Sequence, residues 1–260
     1  MTSFPFFQVD AFADRPLTGN PAAVMPLQTW LADGLMQRIA AENNLSETAF
    51  TVPSEREDAD YDLRWFTPAA EVELCGHATL AAGHVLIHSD PLRFATKSGI
   101  LVVGRREEML ELDLPAARLR ETREPEMCRS LGLSDSPAWF AEGCNDAAIV
   151  EVADEAAVRA LEPDFTALAK VSRMAVVTAR GEHEAIVSRV FVPYLGIDED
   201  PVTGSAHAAL VPYWAGRLGR SEFTALQASA RTGVLHCRLE RDRVIVGGRC
   251  QTVIVGQFQL

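Results

Sequence analysis

Two stretches of this chain, set about half its length apart, follow the same pattern, and few folds accommodate such a repeat. Arg64–Leu86 reads RWFTPAAEVELCGHATLAAGHVL, and Arg189–Trp214 reads RVFVPYLGIDEDPVTGSAHAALVPYW. Both open Arg-x-Phe-x-Pro and pass through an acidic loop. Both then reach a glycine followed by small residues, Gly76-His77-Ala78 and Gly204-Ser205-Ala206, that opens an apolar helix. Further on, TKSGILVV and ARTGVLHC share a Gly-aliphatic-Leu core. A period of half the chain predicts a two-domain duplication rather than a solenoid. Each domain would then present a loop and a helix N-terminus at an equivalent place, where unpaired backbone N–H groups and the positive end of the helix dipole gather. A glycine in the first turn lets a ligand approach the backbone. If a pseudo-twofold brings the two N-termini together, the cleft suits a carboxylate-bearing substrate.

The local patterns support an alternation of strands and helices in each half. FFQVDAF, SETAFTVP and YDLRWFTP read as strands, and ADRPLTGNPAAV between the first two reads as a Pro/Gly/Asn loop. Apolar residues recur at helical spacing in TWLADGLMQRIAAENNL and GHATLAAGHVLIH. LRFATKSGILVVGRREEMLELDLP reads as successive strands. In the second half AVRALEPDFTALAKV is helical, RMAVVTAR and SRVFVP are strands, GSAHAALVPYWAGRLG is a helix interrupted by Pro212, and RTGVLHCRLERDRVIVGG is a hairpin. The charged, proline-bounded LPAARLRETREP places a linker near residue 118. The expected domains are therefore 1–117 and 118–260, with the last strand able to pair with the first domain.

Composition narrows the classes of function. With 260 residues, 48% of them hydrophobic and 23% charged, the chain is long enough for two ordinary domains with cores of their own. A formal net charge of -12 supplies no basic footprint for nucleic acid. The five cysteines, at 75, 128, 144, 237 and 250, are odd in number and form no CxxC pair, which suits reduced thiols better than a disulfide framework. MTSFPFFQVD has no basic segment followed by an apolar run, and no stretch reaches the length of a membrane span. The expectation is a soluble cytoplasmic protein without a membrane partner.

The segments VDAFADRPLTGNPAAV, NLSETAF, FTPAAEVELCGHATLAAGHVL and DEDPVTGSAHAAL, in this order, resemble the PhzF-like family, named after the isomerase of phenazine biosynthesis. The likeness extends to the closing VGGRCQTVIVG. It implies an α+β, diaminopimelate-epimerase-like fold: two similar α/β domains, each a curved, mostly antiparallel, barrel-like sheet around a central helix, with the active site between them. It also implies a proton-shifting isomerase without a cofactor or metal, acting on a small carboxylate-bearing metabolite, and usually a homodimer. The family's acid/base carboxylate falls on Glu47, its Gly-His pair on Gly76 and His77, and its aspartate before the second Gly-Ser on Asp200, followed by Gly204 and Ser205. Its Gly-Asn-Pro motif falls on Asn20. Glu47, His77 and Asp200 are thus the expected catalytic group, and Asn20, Gly76, Gly204 and Ser205 the expected substrate-binding residues.

Taken alone, each of these residues has a plainer reading. A glutamate in LSETAF is ordinarily a solvated charge. Partly buried, it could instead hold a proton and return it near neutral pH. His77 would need further ligands to bind a metal, and His84 is the only local one, without zinc-type spacing around it. His77 is therefore read as orienting the substrate and relaying protons. Asp198 and Glu199 are read as solvated, and Asp200 as a substrate-binding carboxylate. Related racemases of this fold pair two cysteines across a stereocentre. Here the position equivalent to Cys75 lies around Thr203, so Cys75 is read as a packing residue. Cys128, Cys144, Cys237 and Cys250 are read as structural. Ser205 and His207 lack the G-x-S-x-G context of a hydrolase nucleophile. Two other functions stay open: a carboxylate-based racemase or epimerase of amino or hydroxy acids, and a non-enzymatic binding protein that would have no need of an acid/base.

Overall fold

A computed structural model describes residues 2–134, 136–143 and 146–260. Residues 1–113 and 247–260 form one compact unit and residues 114–246 a second. The first unit comprises β1 (Ser3–Ala11), β2 (Asn20–Pro26), α1 (Asp33–Asn43), β3 (Glu47–Pro53), β4 (Tyr61–Phe66), β5 (Glu71–Val72), α2 (Gly76–Leu86), β6 (Leu92–Thr96), β7 (Gly99–Arg106) and β8 (Met109–Pro115). The second opens with β9 (Arg118–Arg123), α3 (Pro125–Ser130), β10 (Pro137–Glu142), β11 (Ala147–Glu151), α4 (Glu155–Arg159), α5 (Phe165–Leu168) and β12 (Ala175–Arg180). It continues through β13 (Ile186–Val192), β14 (Ile197–Asp200), α6 (Gly204–Leu218), β15 (Glu222–Gln227), β16 (Gly233–Glu240) and β17 (Arg243–Gly248). Strand β18 (Cys250–Gln259) returns to the first unit, where it forms a long antiparallel ladder with β1.

The duplication is visible in the strand pairing. In the first unit the order is β18-β1-β2-β3-β4-β6-β7-β8, antiparallel except for β2–β3 and β4–β6. In the second it is β9-β10-β11-β12-β13-β15-β16, antiparallel except for β11–β12 and β13–β15. The two parallel steps fall at the same places. The short strands β5 and β14 fold back antiparallel on β4 and β13. Two sequence expectations change. NPAAV, read as loop, is the core of β2, and the segment read as linker contains β9, because each finds a neighbouring strand that completes its backbone hydrogen bonds.

Each unit is built on a buried helix. In α2 every residue from Gly76 to Gly83 is buried, and the helix packs on β1, β2, β3, β7 and β18. A helix apolar on all sides belongs inside a core. In the second unit α6 packs on β9, β11 and β16. The expected interruption at Pro212 is absent: the helix runs unbroken from Gly204 to Leu218. Proline has no N–H for the carbonyl four residues back. That carbonyl, of Ala208, instead accepts the backbone N–H of Ala117 at 3.0 Å. The predicted helix around residues 157–171 divides into α4 and α5, whose first turns are capped by the Asp154 and Asp164 carboxylates.

The Arg-x-Phe repeat has a structural cause. Arg64 holds Glu71 with two bonds of 2.8 and 2.9 Å, and Arg189 holds Glu199 with two of 2.8 Å. Each guanidinium also lies over the phenylalanine two residues on, at 5.2 Å from Phe66 and 4.9 Å from Phe191. Each arginine thereby ties β5 or β14 to its hairpin partner. Glu199, expected to be solvated, is a partner in this ion pair.

The Glu71 carboxyl is held down to about 2 by Arg64 and, more weakly, by Lys97, against the opposing effect of burial. A depressed folded-state pKa adds stability that is present above the ordinary glutamate value of 4.5 and is lost as pH falls through about 2. The melting temperature of the wild type should therefore exceed that of Glu71→Gln by a constant margin above pH 4.5, and the margin should shrink toward pH 2. An unchanged margin across that window would contradict this assignment.

Candidate active site

Glu47 is the first residue of β3, and Ala22 of β2 pairs with it across a parallel ladder. The start of β2 is thereby brought beside the carboxylate. The turn into β2 requires Gly19, which has φ +69°, and a Cβ there would lie 2.2 Å from the Ala11 carbonyl oxygen. The turn delivers Asn20 fully buried. From the other side Cys75, in extended conformation, leads into α2 and sets His77 in its first turn.

These three elements converge on the His77 ring. Its Nε2 lies 3.0 Å from Glu47 Oε2. Its Nδ1 lies 3.1 Å from Asn20 Nδ2 and 3.5 Å from Cys75 Sγ. The Asn20 oxygen accepts the Ser46 hydroxyl at 3.2 Å. The side chain of His77 is 5% exposed and that of Glu47 14%. Glu47 Oε2 and His77 Nε2 are close enough for an ion pair, but the contact lacks the alignment of a hydrogen bond, and neither atom has another aligned partner among the described residues. Asn20, expected to touch substrate, is fully buried with its amide against the histidine ring.

The electrostatics separate the thiol from the other two groups. Burial, with a smaller contribution from Glu47, pushes the Cys75 thiol up to about 11, so near neutral pH it is neither an anion nor a strong base. For His77, burial works against a charged ring, but the neighbouring acidic groups Cys75 and Glu47 outweigh it and lift its pKa well above the ordinary value. With Cys75 a thiol at neutral pH, the Glu47 carboxylate is the partner that acts there.

Glu47, Cys75 and His77 are also the donors among the described residues that come close enough to suggest a metal site, their atoms lying within 4.8 Å of one another. They fit a single ion poorly, because Cys75 faces Nδ1 and Glu47 faces Nε2, and one ion binds one ring nitrogen. His84 lies elsewhere, hydrogen-bonded with the Thr252 hydroxyl at 3.0 Å.

The second unit builds its equivalent turn differently. Thr203 takes the place of Cys75 before the helix, and its hydroxyl donates to Asp200 Oδ2 at 2.5 Å. The buried Gln227 amide clamps this turn by accepting the Thr203 N–H at 2.8 Å and donating to the Asp200 carbonyl at 2.7 Å. Gly204 and Ser205 are buried in the first turn of α6. His207 donates Nδ1–H to the Thr203 carbonyl at 2.8 Å, and burial pushes its pKa down to about 4. Its Nε2 has no hydrogen-bond partner among the described residues, so it does not form a hydrolase-type pair with Ser205. Neither α2 nor α6 has a side-chain cap or an acidic residue in its first turn, which leaves the positive end of each helix dipole uncompensated by such groups. Cys75, Cys128 and Cys237 are buried free thiols and Cys250 a half-buried one, while Cys144 lies outside the described residues.

The sequence profile of the phenazine biosynthesis-like proteins, PhzC-PhzF, matches residues 9–256. The chain belongs to that family. Among its PhzF-like relatives, an uncharacterized isomerase of Pseudomonas aeruginosa is 51% identical over 262 residues, 98% of each chain. A phenazine biosynthesis-like domain-containing protein of Homo sapiens is 37% identical, over 97% of this chain and 98% of the relative. The crystal structure of a PhzF-family protein from Enterococcus faecalis superposes with a TM-score of 0.88 at 42% identity, covering the whole of both chains. A probable proline racemase of Agrobacterium radiobacter, at 10% identity and a TM-score of 0.69, shares the fold alone. The α+β, epimerase-like architecture expected from the PhzF-like motifs is the one observed.

Sequence reasoning placed Glu47, Gly76 and His77 in one group, and the structure brings them together within the first unit. It missed Ser46, Thr203 and Gln227. The first two sit inside the NLSETAF and DEDPVTGSAHAAL motifs, Ser46 beside the carboxylate and Thr203 at the helix-capping position. Gln227 carries no local signal, since it reaches Thr203 from 24 residues away.

Proposed function

We propose that this PhzF-like protein is an isomerase that moves a proton within a small carboxylate-bearing metabolite, with Glu47 as the general acid/base. One observation carries the reading: Glu47 Oε2 and His77 Nε2 are buried 3.0 Å apart as an ion pair without hydrogen-bond alignment, and neither has another aligned partner among the described residues. Buried polar atoms without partners are rare and costly. A polar group of the substrate would complete their hydrogen bonding, with the reacting C–H bond held beside Oε2.

In the proposed reaction the Glu47 carboxylate takes a proton from a carbon next to an activating carboxylate or carbonyl. The C–H electron pair becomes a new double bond, the former double bond shifts, and Glu47 returns the proton to a different carbon of the same skeleton. Substrate and product then have the same composition, and no oxidant is consumed. The uncapped first turn of α2 at Gly76 suits the developing negative charge. His77 orients the carboxylate and substrate. Asp200, Gly204 and Ser205 are proposed to bind the remaining polar groups of the substrate.

The racemase alternative in its two-thiol form is disfavoured by the raised Cys75 pKa and by the commitment of the Thr203 hydroxyl to Asp200. A one-carboxylate racemase is distinguished by experiment. Incubation in deuterated water with a panel of small unsaturated or cyclic carboxylates should place deuterium on carbon with migration of a double bond. Deuterium incorporation with inversion and no migration would identify a racemase. Binding without any exchange would favour a non-enzymatic role.

A further inference from the structure

We infer that Asn20, held by Ser46, determines which nitrogen of His77 carries the proton when the ring is neutral, and that this nitrogen is Nε2, on the Glu47 side. The inference adds a positioning residue to the proposed acid/base pair and rests on that reading only for its catalytic consequence.

The geometry is a closed circuit. Ser46 and Glu47 are consecutive, and between them they grip both edges of the imidazole. Glu47 stands at Nε2, at 3.0 Å, and Ser46 reaches Nδ1 through Asn20. The Ser46 hydroxyl donates to Asn20 Oδ1 at 3.2 Å, which turns the amide NH₂ toward the ring. An amide NH₂ can only donate, so Nδ1 must accept at 3.1 Å. The Cys75 thiol, 3.5 Å from the same nitrogen, can also donate its S–H. A neutral imidazole carries one proton, and with Nδ1 engaged as an acceptor that proton sits on Nε2. Asn20 has no exposed surface, and Gly19 fixes its backbone, so the amide is poorly placed to act as a substrate contact.

The consequence for the reaction is directional. A neutral His77 with its proton on Nε2 can donate toward Glu47 or the substrate, but it has no free lone pair there with which to take the substrate's proton. The abstracted proton must therefore go to Glu47. The second unit supplies an internal contrast: His207 donates from Nδ1 to the Thr203 carbonyl and so holds the opposite tautomer.

Long-range ¹H–¹⁵N correlation spectra of the histidine side chains test this without any substrate. They are recorded on the uniformly labelled full chain at a pH above the imidazolium transition of His77, with His77→Gln and His207→Gln spectra for assignment. The expected wild-type pattern is Nε2–H for His77 and Nδ1–H for His207. In Asn20→Asp, a carboxylate facing Nδ1 should convert His77 to an Nδ1-protonated form, and the charged ring should persist to higher pH. An Nδ1–H tautomer at His77 in the wild type overturns the inference even if no variant folds, and so does a His77 pattern unchanged in a folded Asn20→Asp. Once a substrate is in hand, Asn20→Asp should lower kcat by about 10-fold to 100-fold, by analogy with the loss of groups that orient metal-binding histidines, with KM nearly unchanged. The expected tautomer without deuterium exchange on any substrate would refute the isomerase while leaving the Asn20 assignment standing.

Discussion

Glu47→Gln should reduce proton exchange by about 10²–10⁴-fold, the range that positioned general acid/base groups supply, while the melting temperature moves by only a few degrees. Glutamine preserves the shape and polarity of the side chain but can neither take nor return a proton at neutral pH. The fold should tolerate the change because Oε2 forms no aligned hydrogen bond among the described residues, and the His77 ring, no longer facing an anion at Nε2, can shed its proton rather than stay charged and unpaired. Carbon-bound deuterium from deuterated water, read by mass spectrometry or NMR, measures the effect directly. If Glu47→Gln keeps more than a tenth of the wild-type exchange rate, Glu47 is not the proton carrier. Loss of exchange together with loss of the folded state would show only that the residue is structural, so circular dichroism must accompany the rate.

The largest expected effect on stability lies away from the candidate site. Arg189→Met should destabilise the protein by about 3–5 kcal/mol, the cost of stranding one member of a largely buried ion pair. The side chains of Arg189 and Glu199 are 13% and 19% exposed, so water can do little to replace the lost partner. Arg189 also donates to the Leu161 carbonyl at 2.8 Å, which links β13 to the end of the α4 segment. Replacing both partners, as in Arg189→Met with Glu199→Leu, should recover part of the loss, because no charge is then left unpaired. Urea unfolding of the two variants measures both values. A cost below 1 kcal/mol for the single substitution would mean that the pair is solvated in solution. Arg64→Met should cost less, since its side chain is 20% exposed and one of its partners, Asp33, is 77% exposed.

Much of the fold was legible because the patterns that specify it lie in contiguous segments. The strand pattern of SETAFTVP, the small-residue face of GHATLAAGHVL and the repeated Arg-x-Phe-x-Pro all persist in β3, α2 and the two arginine-closed hairpins. The misread segments were those whose conformation depends on a distant neighbour. NPAAV looked like loop until β1 and β3 flanked it, the segment near residue 118 looked like linker until β10 paired with it, and Pro212 looked like a break until Ala117 took the carbonyl it left free.

The same division holds at the candidate site. Family motifs singled out Glu47, Gly76 and His77, and the half-chain repeat predicted a second, similar unit. Both depend on residue identity and order, which a sequence carries in full. The placement of Asn20 depended on folding, which brings it from 57 residues away to Nδ1 of the buried His77. Folding also decided that Glu199 is paired rather than solvated and that Gln227 locks the turn at Thr203. Hydrogen bonds and ion pairs between distant segments are set by distances of a few tenths of an ångström and by the exclusion of water, and both exist only once the chain is packed.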